Sequence, residues 1–164
     1  VANPVNVYGK SKYLGEKYVK HLLNKFYIVR TAWLFGSYRK NFVNYVIDAV
    51  KNQKEINVCS DQSGSPTYTH HLSIAISKLI EKPVYGIYHI TNSGGGERLE
   101  IAEEIFKLFK KSTKVTKKSR KEIYFAERPR DSRLDNYLWQ LDGFEKLPTY
   151  QEALKEYISK LVNS

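Results

Sequence analysis

The run Phe26-Tyr27-Ile28-Val29-Arg30-Thr31-Ala32-Trp33-Leu34-Phe35, stopped by Gly36, constrains the fold more than any other segment. Its β-branched and aromatic residues follow one another without alternating with polar ones. Such a run predicts one long strand buried on both faces, as in a parallel sheet covered by helices. A helical stripe precedes it: Leu14, Tyr18, Val19, Leu22 and Leu23, ending near Asn24. Asn3 is the candidate cap of that helix, and Pro4 suits a first helical position or a lead-in turn.

Downstream, helices and short strands alternate. Asn41 to Gln53 predicts a helix with Phe42, Val46, Ala49 and Val50 on one face, and Ile56 to Cys59 a short strand. Asp61 to Thr69 reads as a loop carrying Gly64 and Pro66. His71 to Glu81 reads as a helix with Leu72, Ala75, Ile76 and Leu79 inward. A short strand is expected over Gly86 to Thr91, a glycine-rich turn over Asn92 to Gly96, and an amphipathic helix over Leu99 to Lys110. Ile123 to Phe125 reads as extended. Thr149-Tyr150-Gln151-Glu152 is a capping box opening a last helix with the stripe Leu154, Ile158 and Leu161.

Alternation of this kind means α/β. With one strong parallel-type strand and only short companions, the expected architecture is the second half of a Rossmann-type doubly wound parallel sheet plus a small α-rich lobe. Residues 1–60 are expected to form the C-terminal part of the Rossmann-type domain. Residues 61–164 are expected to be mainly the lobe, with 86–91 a candidate to return to the main sheet.

Several classes are excluded. No apolar run approaches the roughly 20 residues of a membrane helix, and no basic-plus-apolar leader is present. The single Cys59 rules out a disulfide framework and a Cys-rich zinc site, so a reducing cytoplasm is the expected setting. Methionine is absent even at position 1, which suggests a processed chain or one cut from something longer. The net charge of +10 favours polyanionic partners. Residues 107–133 concentrate the excess, and Lys114 to Lys121 reads as a solvated loop. No aromatics are interleaved there at base-stacking intervals, so no nucleic-acid partner is expected, nor any membrane partner. His70 and His71 lack a Cys or carboxylate at ligand spacing. They read as cap-region or surface residues, and no metal is expected.

The sharpest chemical signal is Tyr8-Gly9-Lys10-Ser11-Lys12. Tyr and Lys at i and i+4 share one helix face. A lysine ammonium beside a phenol stabilises the phenolate, so the pair can exchange a proton with a carbonyl or alcohol. The spacing also fits an ordinary helix-surface pair. It recurs at Tyr13/Lys17, which is read that way.

The surroundings of Tyr8 distinguish it. Asn3-Pro4 precedes and Gly15-Glu16 follows; then come Arg30-Thr31-Ala32-Trp33-Leu34-Phe35-Gly36, Asn41-Phe42-Val43, Asp61-Gln62-Ser63-Gly64-Ser65-Pro66-Thr67, and Arg128-Pro129 leading to Ser132 and Leu134-Asp135. In this order the strings resemble the dTDP-4-dehydrorhamnose reductase family of extended short-chain dehydrogenase/reductases, from residue 3 to about 160.

The resemblance implies NADPH- or NADH-dependent reduction of the 4-keto group of a dTDP-6-deoxyhexulose, giving dTDP-L-rhamnose. Tyr8 and Lys12 would be catalytic, with Tyr8 the acid. Tyr8, Lys12 and Ala32 would touch the cofactor. Trp33, Asn41, Gln62, Gly64, Pro66, Thr67 and Arg128 would bind the dTDP-sugar, and the lobe would be a substrate-binding lobe. Each string has a plainer reading as well: Trp33 as core, Pro66 as a helix-start proline, Gly64 as a turn glycine, Arg128-Pro129 as a loop.

Two departures stand out. Glu97-Arg98 occupies a turn where the family usually has a Ser/Thr cap and an aromatic, and the glycine-rich dinucleotide fingerprint is absent. Asn92 to Gly96 lacks its spacing. The chain alone is therefore expected to be inactive, pairing with a missing N-terminal half or forming a homo-oligomer. Alternatives are another sugar-nucleotide epimerase or dehydratase, a non-catalytic relative of the methionine adenosyltransferase β-subunit type, and a basic nucleic-acid-binding adaptor.

Overall fold

The computed structural model describes residues 2–162. The first helix is α1 (Val7–Leu22), followed by β1 (Tyr27–Arg30), β2 (Leu34–Phe35), α2 (Phe42–Asn52) and β3 (Ile56–Cys59). Then come β4 (Ser63–Gly64), β5 (Thr67–Tyr68), α3 (Thr69–Ile80), β6 (Gly86–His89), β7 (Gly96–Glu97) and α4 (Arg98–Phe109). The chain continues through β8 (Val115–Lys118), α5 (Arg120–Ile123), β9 (Asp131–Ser132), α6 (Tyr137–Leu141) and α7 (Tyr150–Val162). The architecture is α/β: β1 pairs with β6, β2 with β5 and β3 with β8, all parallel. β4 lies between antiparallel β7 and parallel β9.

Two apolar clusters hold these pieces. In one, α2, α4 and α7 enclose Phe35, Val46, Val50, Ile56, Ile105, Leu154 and Tyr157. In the other, α3 and β6 meet the α6 region through Leu72, Leu79, Tyr88, Ile90 and Trp139, with Trp139 stacked on Phe144 at 4.1 Å. Each fully buried large side chain contributes about 1.5–3 kcal/mol of transfer free energy. The last helix starts as expected, with Thr149 and Glu152 closing a reciprocal box.

Several expectations are corrected. The cap of α1 is Asn6, whose Oδ1 accepts from Gly9 N at 2.7 Å, and not Asn3. The stripe of α1 is uncovered: no residue of the helix is buried, and Leu14, Tyr18, Leu22 and Leu23 are exposed. The expected single strand is two strands. Trp33 takes a left-handed conformation, φ +43°, so the chain leaves β6 after β1 and joins β5 at β2. A bulky residue held there costs about 1–3 kcal/mol. β1 is only half-buried, because it has β6 on one edge and nothing described on the other.

The loop 61–69 contains β4 and β5. The basic run is not a solvated loop. Its centre is β8, in register with β3 from Ile56↔Val115 to Cys59↔Lys118. His71 is no surface residue: its ring is mostly buried, bonded to Glu156 Oε2 at 2.8 Å and to the Asn92 amide at 2.9 Å.

Candidate active site

The break between β1 and β2 turns Trp33 towards β4. A Cβ on Gly64 would lie 2.2 Å from Trp33 Cε2, so the indole rests directly on the Gly64 backbone. Thr67 N–H donates to the Trp33 carbonyl at 3.2 Å. The Arg98 guanidinium, at the start of α4, lies 4.2 Å from the Trp33 ring centroid and 4.7 Å from that of Phe42. Arg98 Nε donates to Gln62 Oε1 at 3.3 Å, and buried Gln62 donates in turn to the Pro129 carbonyl at 3.4 Å. A cavity of about 260 Å³ opens among Trp33, Phe35, Asn41, Phe42, Pro66 and Arg98.

Arg98 is a largely buried cation. Burial pushes its pKa down, the Tyr124 phenol and Cys59 oppose that push, and nearby Arg128 adds to it. An arginine in such a place stays charged at neutral pH. Among the described residues the ion-paired arginines are Arg30, Arg120 and Arg133. Arg98 is held by aromatic faces and an amide instead.

A second group lies next to this one through Tyr124. The Arg128 guanidinium stands 4.6 Å over the Tyr124 ring. Arg120 is anchored on Asp61: its N–H donates to Oδ1 at 2.7 Å and its Nε to Oδ2 at 3.2 Å. Its guanidinium also donates to the Arg128 carbonyl. Burial works to raise the Asp61 pKa, but the hydrogen bonds from Arg120 and Cys59 and the charge of Arg120 outweigh it, so the carboxyl titrates below its ordinary range. Arg120, Lys121, Tyr124, Phe125 and Arg128 line an open basic depression of about 480 Å³.

Tyr8 and Lys12 lie on α1, with Lys12 Nζ 5.5 Å from the Tyr8 ring centroid. Tyr13 and Lys17 show the same geometry at 5.0 Å, so the i, i+4 pair alone does not separate them. Exposure does. Tyr8 is 72% exposed, whereas Tyr13 is half-buried near Arg30. The start of α1 is tied to the second group, since Asn6 Nδ2 donates to the Glu127 carbonyl at 2.7 Å.

The sequence-derived site residues thus fall mainly into two gatherings. Trp33, Pro66 and Asn41 line one cavity, with Gly64 beneath the Trp33 ring and Gln62 bonded to Arg98 beside it. Asn41 also caps α2, accepting from Asn44 N and donating to the Gly36 and Arg39 carbonyls. Thr67 is fully buried, and its hydroxyl donates to the Ser65 carbonyl. Ala32 sits in the break itself, beside Thr31, whose buried hydroxyl has no hydrogen-bond partner among the described residues. Arg128 belongs to the second gathering, while Tyr8 and Lys12 stand apart on α1, linked to it through the Asn6–Glu127 hydrogen bond. Sequence reasoning missed Arg98, Tyr124 and the Asp61–Arg120 anchor. The one available signal was the unusual Glu97-Arg98 at the α4 start.

Known proteins are similar to this chain in sequence and fold. The dTDP-4-dehydrorhamnose reductase of Bacillus anthracis, solved in complex with NADP, is 42% identical with a TM-score of 0.88, and the match covers 96% of this chain and 56% of that one. A dTDP-4-dehydrorhamnose reductase from Clostridium acetobutylicum is 40% identical with a TM-score of 0.91, covering 99% and 58%. Among curated proteins, the spore coat polysaccharide biosynthesis protein SpsK of Bacillus subtilis is 35% identical over 159 residues, 96% of this chain and 56% of SpsK. The chain spans about half the length of the relatives it matches. A family model described as the RmlD substrate binding domain matches residues 1–163. With nearly every residue matched, the chain belongs to the RmlD substrate-binding-domain family.

Proposed function

We propose that the complete protein reduces the 4-keto group of a dTDP-6-deoxyhexulose to give dTDP-L-rhamnose, using NADPH or NADH. This chain would supply the proton donor and the substrate-binding lobe. The carrying observation is the exposed Tyr8 with Lys12 alongside, on a helix whose start is tied to the Arg128 segment. The residues present fit a nicotinamide nucleotide at that place. Tyr8 and Lys12 are both exposed, and beside Ala32 the Thr31 hydroxyl lacks a partner among the described residues.

When bound, the nicotinamide supplies a hydride to C4 of the sugar. Tyr8 Oη gives its proton to the C4 oxygen as charge develops there, which completes the alcohol. The Lys12 ammonium stabilises the phenolate left behind, and solvent returns the proton. Trp33 and Pro66 wall the sugar, with Gln62, Gly64, Asn41 and Thr67 shaping that wall. Arg128, with Arg120 beside it, attracts the dTDP diphosphate. Residues 1–60 would belong to the nucleotide-binding body and 61–164 mainly to the lobe, in a cytoplasmic enzyme. The uncovered face of α1 would be closed by a dinucleotide-binding half or a second copy.

The test is a paired substitution in the complete protein. Tyr8→Phe should lower kcat by about 10² to 10⁴, the range for a lost general acid, while Tyr13→Phe changes it by no more than about twofold. Equal effects would overturn the assignment.

A further inference from the structure

We propose that Arg98 is a positioning residue for Trp33, its main effect on substrate passing through that indole. The inference rests on the proposed reading of Trp33 as a wall of the sugar site.

Trp33 stands in a backbone region that a bulky side chain enters only when its surroundings hold it there. Three contacts do so. The Gly64 backbone supports the ring, Thr67 N–H binds the Trp33 carbonyl, and the Arg98 guanidinium stacks on the ring. The first two come from the backbone of β4 and β5. The third is a side chain from α4, joined to its place by Gln62 Oε1 and by the Phe42 ring.

A largely buried guanidinium ordinarily has a carboxylate partner, and this one does not pair with any among the described residues. Its stabilisation is directed at aromatic rings, where desolvation strengthens a cation–π contact. The planar fork can stack on Trp33 and donate in plane to Gln62 at once, which an ammonium cannot do. Since Trp33, Phe42 and Arg98 line one cavity, any drift of the indole alters its shape.

The experiment is a double-mutant cycle in the complete enzyme with Arg98→Met, Arg98→Lys, Trp33→Ala and the Arg98→Met/Trp33→Ala pair. Arg98→Met keeps the stem and removes the fork. It should raise KM for the keto-sugar nucleotide about tenfold, as expected for one coupled contact pair, and leave KM for NADPH within about twofold. In the Trp33→Ala background the same change should add less than about twofold. Arg98→Lys should resemble Arg98→Met. Equal losses in both backgrounds would overturn the proposal, as would a loss of folded protein with unchanged KM in the remainder.

Failure of the wild-type enzyme to reduce the keto-sugar would instead reject the functional reading. The clamp would then be judged by acrylamide quenching of the Trp33 emission, identified as the signal lost in Trp33→Phe. Arg98→Met should make that emission more quenchable, and unchanged quenching would overturn the clamp.

Discussion

Gly64 leaves no space for a side chain: the Cβ of any other residue would lie inside the Trp33 indole. Gly64→Ala should therefore displace the ring and destabilise the protein by about 1–3 kcal/mol, the usual cost of overpacking, read as a fall in Tm. Asp61 gives a pH-dependent counterpart. Its carboxyl is held below its ordinary range when folded, so its contribution is present above the unfolded pKa of about 4 and is lost as pH falls through the lower folded value. Unfolding at decreasing pH should show stability dropping below about pH 4, with a shallower drop in Asp61→Asn. Tyr8, Trp33, Gln62 and Gly64 were legible because each sits in a short local string. Arg98 and Tyr124 were not. Arg98 stacks on rings from segments far apart in sequence, which no local pattern encodes, and Tyr124 gains its place only because Arg128, four residues on, folds back over its ring.

At the scale of elements, α2, α4 and α7 follow from their stripes because each has a core to cover. The stripe of α1 gave the helix but not its surroundings, since most of its apolar face, Leu14, Tyr18, Leu22 and Leu23, is exposed among the described residues. What holds α1 is the Asn6 cap and a bidentate pair, with Arg30 Nε and Nη2 donating to Glu16 at 2.7 and 2.5 Å. That hydrogen bonding raises the Arg30 pKa. Removing the charge with Glu16→Gln should cost about 1 kcal/mol, since the pair is only partly shielded from water, measurable by denaturant titration.

β8 escaped sequence reading because a lysine run looks like a wet loop. Lysines also suit an edge strand, where they discourage further pairing. Ile56 N–H donates to the Lys114 carbonyl and Ser60 N–H to that of Lys118. Both amides should exchange with solvent far more slowly than loop amides, and fast exchange would show that β8 is not paired.

Over the whole molecule, the two cluster regions are joined by polar contacts, Tyr68 N–H donating to Asn92 Oδ1 at 2.9 Å and His71 bonded to Glu156 at 2.8 Å, while among the described residues one flank stays open: much of the apolar face of α1 and one edge of β1. A protein of residues 1–164 alone should bury that flank against another copy or remain marginally stable, and should bind NADPH poorly. Sedimentation and calorimetry check both. A stable monomer with micromolar NADPH affinity would contradict the expectation.

The parallel pairing of β1 with β6 also has a kinetic meaning. Residues 31–85 lie between these strands, so the pair closes only after a long loop has been gathered, at an entropic cost that slows folding. The cluster around α2, β3, α4 and α7 does not depend on that closure, whereas α1 docks through β1 and so joins late. The helix bearing Tyr8 and Lys12 is thus the part with least cooperative support. When residues 1–164 alone are warmed, it should detach while the cluster around α2, β3, α4 and α7 is still folded, read as early loss of protection at the α1 amides.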